Sequence, residues 1–393
     1  VEGAVYTTAT GANITSSEKT GKYAQVGAPC TSNKTYQFNQ NSKEYIGVDI
    51  TAAKLKNADG TYTKTANAIA GKPIPYCTCP TCDDGKWLKD FAAICNSNGE
   101  QTGDPYPSLQ DAVTEFLQGS SSSNTYIKML HSTTENINTK NINTDKDLYL
   151  DLNGCTVTGT FNMGSHKLYG MDSATDTYDG TKAGKIDGTV TGNVAPVHKT
   201  SAKTVDGYNS LRYVAIKSGN SYSFHRFNIS VSGYRFELAA PQCALFFIGK
   251  FQGDAEAKKH LTKLGFTLKD KYGNQLGEAN YEFTAGTVFP PMPNEGEASD
   301  SKVVCSGDAY LFEAYLKRSF ERSPLETASE EFSATAQATF KNSENLEDNS
   351  LSSDKRTLSF QKAWKDALDS DPGMKPKDKD ILTNFLKKYG ITI

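Results

Sequence analysis

The amino-acid sequence predicts a mainly β protein with a short right-handed parallel β-helix, an antiparallel β-sandwich and a C-terminal α-helical hairpin. Glycine and tyrosine, at 32 and 20 of 393 residues, are typical of strands and turns rather than of helix bundles. Short apolar segments alternate with polar residues and stop at Gly, Asn or Asp, as strands do at turns. Two apolar stripes at helical spacing close the chain. At about 150 residues per domain, this length fits two or three domains.

Charge and hydropathy argue against two classes of partner. The 42 Lys and Arg nearly balance the 45 Asp and Glu, so the chain lacks the basic surplus of a nucleic-acid binder. No stretch approaches the roughly 20 apolar residues that a membrane helix needs. We therefore expect no nucleic-acid partner and no membrane span. The chain begins at Val1, which a removed signal peptide or an engineered N-terminus would explain.

The first quarter of the chain divides into two predicted parts. Residues 1–75 are polar, and short alternations in Lys43–Ile50 and Gly60–Thr65 predict a β-rich N-terminal segment. Residues 76–104 contain four cysteines and are predicted to form a Cys-rich cap.

The cysteine cluster is the sharpest local signal, and it consists of Cys77, Cys79, Cys82 and Cys95. Four thiolates can hold a tetrahedral Zn²⁺, and the spacing of Cys79 and Cys82 is typical of half a zinc site. A secreted chain could instead form two disulfides here, or the thiols could stay free. Because all four candidate ligands are cysteines, no coordination position is left open, and a bound zinc would be structural. The cluster therefore predicts structural zinc or disulfides.

Residues 105–207 are predicted to be a capping helix followed by the β-helix. The helix has Ser108 as its N-cap, Gly119 after its last turn and an apolar face formed by Leu109, Ala112, Val113, Phe116 and Leu117. Short strand candidates follow, including Tyr126–Leu130, Leu148–Leu152 and Thr156–Gly159. Strands this short fit the stacked rungs of a solenoid, although irregular antiparallel hairpins would show the same pattern.

The rest of the chain is predicted as three parts. Residues 208–320 contain several longer strand candidates and a helix over Asp254–Leu264, which together predict a β-sandwich with an inserted helix. In this sandwich, Cys243 and Cys305 each precede a strand and could form a disulfide. Residues 321–352 are acidic and are predicted to be a linker. Residues 353–393 carry the two apolar stripes and are predicted to form the helical hairpin.

Several segments together resemble uncharacterised secreted surface proteins of Gram-positive gut bacteria. Ser108–Val113, Tyr126–Leu130 and Leu148–Gly159 are similar to the capping helix and β-helix turns of those proteins. Ser223–Ile229 and Ala244–Phe251 are similar to their β-sandwich module, and Cys77–Cys79 resembles a segment that precedes their β-helix. The resemblance implies β-helix and β-sandwich modules and an extracellular or cell-wall-associated location. It implies no catalytic residues.

The motifs of common enzyme classes are absent from the sequence, which has no Gly-x-Ser-x-Gly elbow, P-loop or paired-histidine zinc motif. His225 lies among alternating strand residues and is interpreted as a sheet-surface residue rather than a base. Glycosidases on β-helices use clustered carboxylates, and the predicted β-helix contains Asp145, Asp147, Asp151, Asp172 and Asp187. These are interpreted as solvated turn residues, with Asp151 facing outward.

We therefore expect a non-catalytic, extracellular, adhesin-like structural protein of unknown ligand. The alternative is a carbohydrate-binding or carbohydrate-active β-helix protein, either a glycosidase or a lyase. The expected partner is a glycan or a host or cell-surface protein. Neither catalytic nor cofactor-binding residues are assigned, and structural zinc at the cysteine cluster is the one cofactor that the sequence suggests.

Overall fold

A computed structural model describes strand segments 6–7, 13–14, 54–56 and 62–65, and residues 91–393 except 104, 107, 121–124, 201–210, 294–300, 342–348 and 371–373. The described part is mainly β, as the sequence predicts. Its first strands form two antiparallel pairs, β1 (Tyr6–Thr7) with β2 (Asn13–Ile14) and β3 (Lys54–Lys56) with β4 (Tyr62–Thr65). β4 lies within the predicted Gly60–Thr65 strand, whereas the predicted Lys43–Ile50 strand lies outside the described residues.

Residues 91–200 contain one helix and ten short strands among the described residues. These are β5 (Ala92–Cys95), α1 (Leu109–Gln118), β6 (Tyr126–Met129), β7 (Thr133–Thr134), β8 (Ile137–Asn138), β9 (Leu148–Asp151), β10 (Thr156–Thr158), β11 (Phe161–Met171), β12 (Lys185–Asp187), β13 (Val190–Val194) and β14 (Val197–Thr200). Two 3₁₀ turns, Ser173–Thr175 and Gly180–Lys182, lie between β11 and β12.

Strands β6 to β13 pair in parallel and form three ladders. The first ladder joins β6, β9, the end of β11 and the end of β13, the second joins β7, β10 and β12, and the third joins β8, the start of β11 and the start of β13. In the second ladder, for example, Thr133 lies opposite Val157, which lies opposite Ile186. The chain thus passes three times through the same three ladders. We call residues 126–194 the parallel stack.

Apolar side chains fill the parallel stack, and α1 closes one end of it. Each strand contributes its inward residues to this core, which includes Ile127, Leu150, Val157, Phe161 and Ile186. Leu109, Val113 and Phe116 of α1 belong to the same core. The Ser108 hydroxyl accepts from the Asp111 N–H, and the helix ends before Gly119, so the predicted helix and both of its caps are confirmed.

After the stack, the described residues form two antiparallel sheets and four helices. Their elements are β15 (Leu211–Ser218), β16 (Ser221–Ala239), β17 (Gln242–Gly253), α2 (Ala255–His260), β18 (Leu261–Asp270), β19 (Gln275–Glu282), β20 (Val303–Ser306), β21 (Ala309–Ser319), α3 (Pro324–Ser329), β22 (Phe332–Phe340), β23 (Asn349–Ser352), β24 (Arg356–Leu358), α4 (Phe360–Ser370) and α5 (Pro376–Lys388). The first sheet has the order β20-β21-β17-β16, and the second has the order β19-β18-β22-β23.

Aromatic side chains from both antiparallel sheets share one core. Phe266 of the second sheet lies 5.0 Å from Phe312 of the first, measured between ring centroids. Phe247 of the first sheet meets Phe332 of the second edge to face at 5.9 Å. The side chains alternate inward and outward along β17, which matches the period of two expected for a sheet with one buried face.

The first antiparallel sheet continues into the parallel stack. β16 pairs with β12 in antiparallel fashion, with Ile186 opposite Tyr222. Phe224 of β16 packs on the end of the stack at Gly170, where a methyl group in place of the glycine hydrogen would lie 2.0 Å from the phenyl ring. One hydrogen-bonded sheet therefore runs through both parts of the molecule.

The inserted helix and the predicted disulfide differ from expectation. The helix predicted over Asp254–Leu264 ends at His260, because Leu261 and Leu264 are buried in the shared core as part of β18. The disulfide between Cys243 and Cys305 is wrong, since both thiols are free. Cys243 lies opposite Arg318, whereas Cys305 lies opposite Tyr310, so about eight residues of β21, roughly 26 Å, separate them.

The acidic linker predicted over residues 321–352 is also wrong where the structure describes it. This segment contains α3 and β22, and β22 pairs with β18 inside the second sheet. Its inward residues are Ala334, Ala336 and Ala338, all fully buried. Alanine alternates here mainly with serine and threonine, so the two faces of the strand differ little in hydrophobicity. The acidic composition of the whole segment therefore favours a linker over a strand.

The two C-terminal helices are confirmed as α4 and α5. They pack on each other, with Trp364 lying 5.6 Å from Phe385, and both rings contact Phe320 of the sheet core. Trp364 is completely buried. Most of the apolar residues of the two helices therefore face the protein interior, whereas Ile381 is 46% exposed.

Candidate functional site

The predicted metal site lies largely outside the described residues, which include Cys95 but not Cys77, Cys79 or Cys82. Cys95 is buried in β5 with a free thiol. Burial raises the pKa of this thiol, which disfavours the thiolate that a metal would need. Within the described ranges, no group of three or more His, Cys, Asp or Glu side chains is placed to hold a metal ion. The zinc site therefore stays a prediction.

Two of the five predicted carboxylates come together at one turn of the parallel stack. Asp151 ends β9 opposite Met171, and Asp172 follows directly. The expectation that Asp151 faces outward is wrong, because its carboxylate is buried and accepts from the backbone N–H groups of Asn153 at 2.9 Å and Ser173 at 2.8 Å. The other three do not join this pair: Asp145 is exposed, Asp147 accepts from the Lys167 N–H, and Asp187 accepts from the Ser221 hydroxyl.

Asp172, the second member of the pair, has a pKa well above the ordinary value of a carboxyl group. Burial, and next the charge of Asp151, raise the pKa of Asp172 to about 7. Its carboxylate accepts from the N–H groups of Gly154, Ala174 and Gly184, at 2.9, 3.1 and 2.6 Å. Carboxylates with raised pKa values occur at acid–base sites, but these two are enclosed and bonded to backbone donors. Their arrangement serves to hold the turns rather than to meet a substrate.

The structure brings together a second polar group, which consists of Ser223, His225 and Asp254. His225 Nδ1 lies 2.6 Å from Asp254 Oδ2, and His225 Nε2 lies 2.9 Å from Ser223 Oγ. His225 and Asp254 are each 2% exposed, whereas Ser223 is half-buried. The interpretation of His225 as a sheet-surface residue is therefore wrong. We call these three side chains the Ser–His–Asp chain.

Local structure explains how the three side chains meet. Ser223 and His225 are two residues apart on β16, so their side chains point to the same face of the sheet. β16 and β17 pair up to Phe227 and Gly253, which places Asp254 directly beyond the end of β17 and next to His225. Asp254 also accepts from the Ala257 N–H at 2.8 Å as the N-cap of α2, a role that the sequence predicts.

The hydrogen-bond donors within the Ser–His–Asp chain follow from the chemistry of its hydroxyl, imidazole and carboxylate groups. Asp254, as a carboxylate, only accepts, so the bond at 2.6 Å requires that His225 Nδ1 carry a hydrogen. In a neutral imidazole Nε2 then has a lone pair, which accepts from the Ser223 hydroxyl. Sequence reasoning missed the group because Asp254 lies 29 residues from His225 and only the pairing of β16 with β17 joins them.

The loop between β11 and β12 lies against the Asp254 end of the Ser–His–Asp chain. Gly180 lies so close to Asp254 that a methyl group there would come within 2.9 Å of the carboxyl carbon. The Thr175 hydroxyl accepts from the Arg226 N–H at 3.1 Å, and the Asp176 carbonyl accepts from the Arg226 guanidinium at 2.6 Å. These bonds fix the loop onto β16.

A groove of about 720 Å³ lies between β16 and the two C-terminal helices. Its lining includes the apolar residues Phe236, Leu238, Met374 and Ile381 together with Tyr234, Arg235, Asp366 and Asp378. The Tyr234 hydroxyl donates to Asp366 at 3.1 Å, and two acidic side chains of the same sheet face hold Arg235. We call this feature the sheet–helix groove.

Comparisons with known proteins add little to this geometry. Neither a protein-family model nor a curated protein matches the chain. A candidate β-galactosidase from Bacteroides fragilis overlaps 34% of this chain and 18% of its own, with a TM-score of 0.19 and 7% identity. β-Glucosidase 3B from Thermotoga neapolitana, solved with α-D-glucose, overlaps 37% of this chain and 18% of its own, with a TM-score of 0.13 and 12% identity. Overlaps this weak carry no argument about function.

Among the residues that the structure describes, every helix is too short or too polar to cross a bilayer.

Proposed function

We propose that this chain is an extracellular or cell-wall-associated structural protein of the adhesin-like type, which holds its ligand without turning it over. We further propose that the parallel stack is a right-handed β-helix of three rungs and that the two antiparallel sheets form a β-sandwich. The sequence resemblance at residues 105–260 supports both statements.

One observation carries the structural role. The pairing of β12 with β16 makes a hydrogen-bonded sheet that runs from the parallel stack into the antiparallel part. A force applied to either part would be shared by backbone hydrogen bonds in the other, because these two strands are hydrogen-bonded directly to each other.

Binding and turnover assays on the same sample test the proposed role. The full chain would be applied to arrays of glycans and of host cell-surface proteins, and reducing ends would be assayed after incubation with the bound polysaccharides. We expect binding to at least one array component and no release of reducing sugars. Release of reducing ends from any polysaccharide would overturn the structural role in favour of a glycosidase or lyase.

Carbohydrate binding is the second candidate function, and the sheet–helix groove favours it. Sugars are held by aromatic faces together with a few hydrogen-bonding groups, and the groove offers Tyr234 and Phe236 beside Asp366 and Asp378. Asp378 lies in the first turn of α5, and its side chain can accept from sugar hydroxyls without disturbing the core.

A paired substitution tests glycan binding at this groove. We expect Asp378→Asn to weaken glycan binding about tenfold, because a charge-assisted hydrogen bond contributes roughly 1.5–3 kcal/mol. Asp369→Asn is the matched control, since Asp369 lies on α4 outside the groove lining and pairs with Lys365. Equal glycan affinities for the two variants, measured by calorimetry, would remove the groove as the glycan site.

Structural zinc at Cys77, Cys79, Cys82 and Cys95 remains part of the proposal, with disulfides as the alternative. Metal analysis of the purified chain, together with a count of free thiols by mass spectrometry before and after chelation, separates the two. One zinc per chain and thiols that become reactive on chelation support the metal site. A metal-free chain with oxidised cysteines supports the disulfides.

A further inference from the structure

We propose that Ser223 is an activated nucleophile that hydrolyses carboxylic esters of small acyl groups, with His225 as its general base and Asp254 as the positioning residue of that base. This activity goes beyond the structural role proposed above and concerns a different part of the molecule from the sheet–helix groove. It rests on the Ser–His–Asp chain alone.

The hydrogen bonds run in the order that nucleophilic catalysis by serine requires. A serine hydroxyl is a weak nucleophile unless a base accepts its proton, and the base works best when a third group fixes its orientation and tautomer. Here Ser223 Oγ contacts His225 Nε2 at 2.9 Å, and Asp254 Oδ2 contacts the opposite ring nitrogen at 2.6 Å. Both distances lie within the reach expected of such a group.

Asp254 and His225 are more deeply buried than Ser223, as this chemistry requires. Asp254 and His225 are almost fully enclosed, so their hydrogen bond is shielded from water. Ser223 is half-buried and is the one member with appreciable exposure. Ser223 is therefore the member of the group that a small reagent would have to reach, whereas its base is enclosed.

The other two buried histidines of the described residues, His166 and His198, have different hydrogen-bond environments from His225. His166 has its two ring nitrogens 2.8 and 3.0 Å from the backbone carbonyls of Lys146 and Ile142. His198 has no hydrogen-bond partner at either nitrogen. His225 differs from both, because a carboxylate lies at one nitrogen and a hydroxyl at the other.

The reaction balances with an ester and water as its reactants. Ser223 Oγ attacks the acyl carbon as its proton moves to His225 Nε2, and the tetrahedral adduct expels the alcohol, which takes that proton. Water then attacks the acyl-serine, gives a proton to Nε2, and releases the carboxylic acid as the serine oxygen recovers the proton. A small acyl group is inferred because Ser223 and the adjacent Tyr222 are both half-buried in the sheet.

Covalent labelling of the full chain tests the nucleophile. A fluorophosphonate probe followed by peptide mass spectrometry is expected to modify Ser223 in the wild type. Ser223→Ala should abolish this label and the hydrolysis of p-nitrophenyl acetate above background. Ser221→Ala is the matched control, because Ser221 lies two residues away on β16 and bonds to Asp187 instead, and it should keep both signals.

Asp254→Asn separates a positioning role from a structural one. Asparagine caps a helix as well as aspartate does, so α2 should persist and the near-UV circular dichroism should be unchanged. The rate of ester hydrolysis should still fall roughly 100-fold or more, because the amide no longer fixes the tautomer of His225. A folded wild type that takes up no probe at Ser223, or equal hydrolysis by wild type and Ser223→Ala, overturns the proposal. Either failure leaves the glycan-array test of the structural role unaffected.

Discussion

At the scale of single residues, the buried polar side chains distinguish this protein most clearly. His198 of β14 lies between Tyr169 and Tyr213, with ring centroids 5.4 and 5.8 Å away, and neither of its ring nitrogens has a hydrogen-bond partner. Burial lowers the pKa of His198 to about 4. The folded protein therefore holds this imidazole neutral at acidities where the unfolded chain, with an ordinary histidine pKa near 6.5, would protonate it.

This side chain should make the protein sensitive to acid. Between about pH 6.5 and 4 the unfolded state binds one more proton than the folded state at His198, so the free energy of unfolding falls as the pH falls. We expect His198→Phe to remove that contribution while it keeps the aromatic contacts. Its stability relative to the wild type should be about 2 kcal/mol greater at pH 5 than at pH 7.5.

Urea unfolding of both proteins at the two pH values measures this difference. The comparison is made between variant and wild type, so that the opposite dependence expected from the raised pKa of Asp172 cancels. If the free energy of unfolding of His198→Phe differs from that of the wild type by the same amount at pH 5 and pH 7.5, His198 is not a buried neutral histidine.

Residues whose role depends on neighbours in sequence could be predicted, and those that depend on strand pairing could not. Ser108 and Asp254 are recognisable as N-caps because the cap bonds to a backbone N–H three residues ahead. The burial of Asp151 and His225 depends on which strands lie beside β9 and β16. No period in the sequence reports which strands are neighbours, so the sequence predicts surface positions for both residues.

At the scale of elements, the corners of the parallel stack depend on close backbone contact. Gly159 joins β10 to β11 with φ of +148°, and a methyl group there would lie 2.0 Å from the Glu135 carbonyl oxygen of the preceding pass. One pass later, a methyl group on Gly188 would likewise lie 2.0 Å from the Gly159 carbonyl oxygen. These two glycines let successive passes stack at the spacing of a parallel sheet.

Gly159→Ala should therefore destabilise the protein strongly. We expect a loss of about 2–4 kcal/mol, because the added methyl group clashes with backbone atoms that cannot move independently. Gly277→Ala is the control, since Gly277 lies in β19 with open space around the position of a methyl group. Chemical denaturation would measure both, and a similar stability for the two variants would contradict the close stacking at this corner.

The C-terminal helices give a second prediction at this scale. Trp364 is fully buried against Phe320, Phe360 and Phe385, so Trp364→Ala should cost about 3–5 kcal/mol of unfolding free energy. Leu325→Ala, at a side chain that is 62% exposed in α3, should change it by less than about 0.5 kcal/mol. A mild effect of Trp364→Ala in thermal unfolding would mean that α4 is not part of the core.

Element predictions succeeded where hydrophobic contrast was strong. α1, α4 and α5 have wide apolar faces, and β9 alternates leucine with polar or aromatic residues, so each was predicted close to its observed range. β22 was missed because its buried face is alanine. The helix α2 was extended too far because Leu261 and Leu264 fit a helical period as well as they fit the strand that they form.

At the scale of the whole molecule, two cores are joined by strands that belong to both. Val214 and Ile216 of β15 lie in the core of the antiparallel sheets, whereas Ala215, between them, faces the core of the parallel stack. On β16, Phe227 belongs to the first core and Phe224 to the second. Disrupting either core should therefore disturb the other through these shared strands.

The contact of Phe224 with Gly170 offers a direct way to uncouple the two parts. Gly170→Ala would place a methyl group about where the phenyl ring now lies, so the ring and β16 must shift away from the stack. We expect the single unfolding transition of the wild type to become broader or biphasic in this variant, as seen by circular dichroism. A variant that unfolds as sharply as the wild type would show that this contact does not couple them.

Hydrogen exchange along a urea titration, read by mass spectrometry, tests the central claim that one continuous sheet makes the stack and the antiparallel sheets a single structural unit. Peptides covering β9 and β11 report the stack, and peptides covering β17 and β21 report the first antiparallel sheet. We predict that both sets lose protection at the same urea concentration, because β16 is hydrogen-bonded to β12 and to β17. Loss of protection in one set at a urea concentration where the other remains fully protected would contradict the claim.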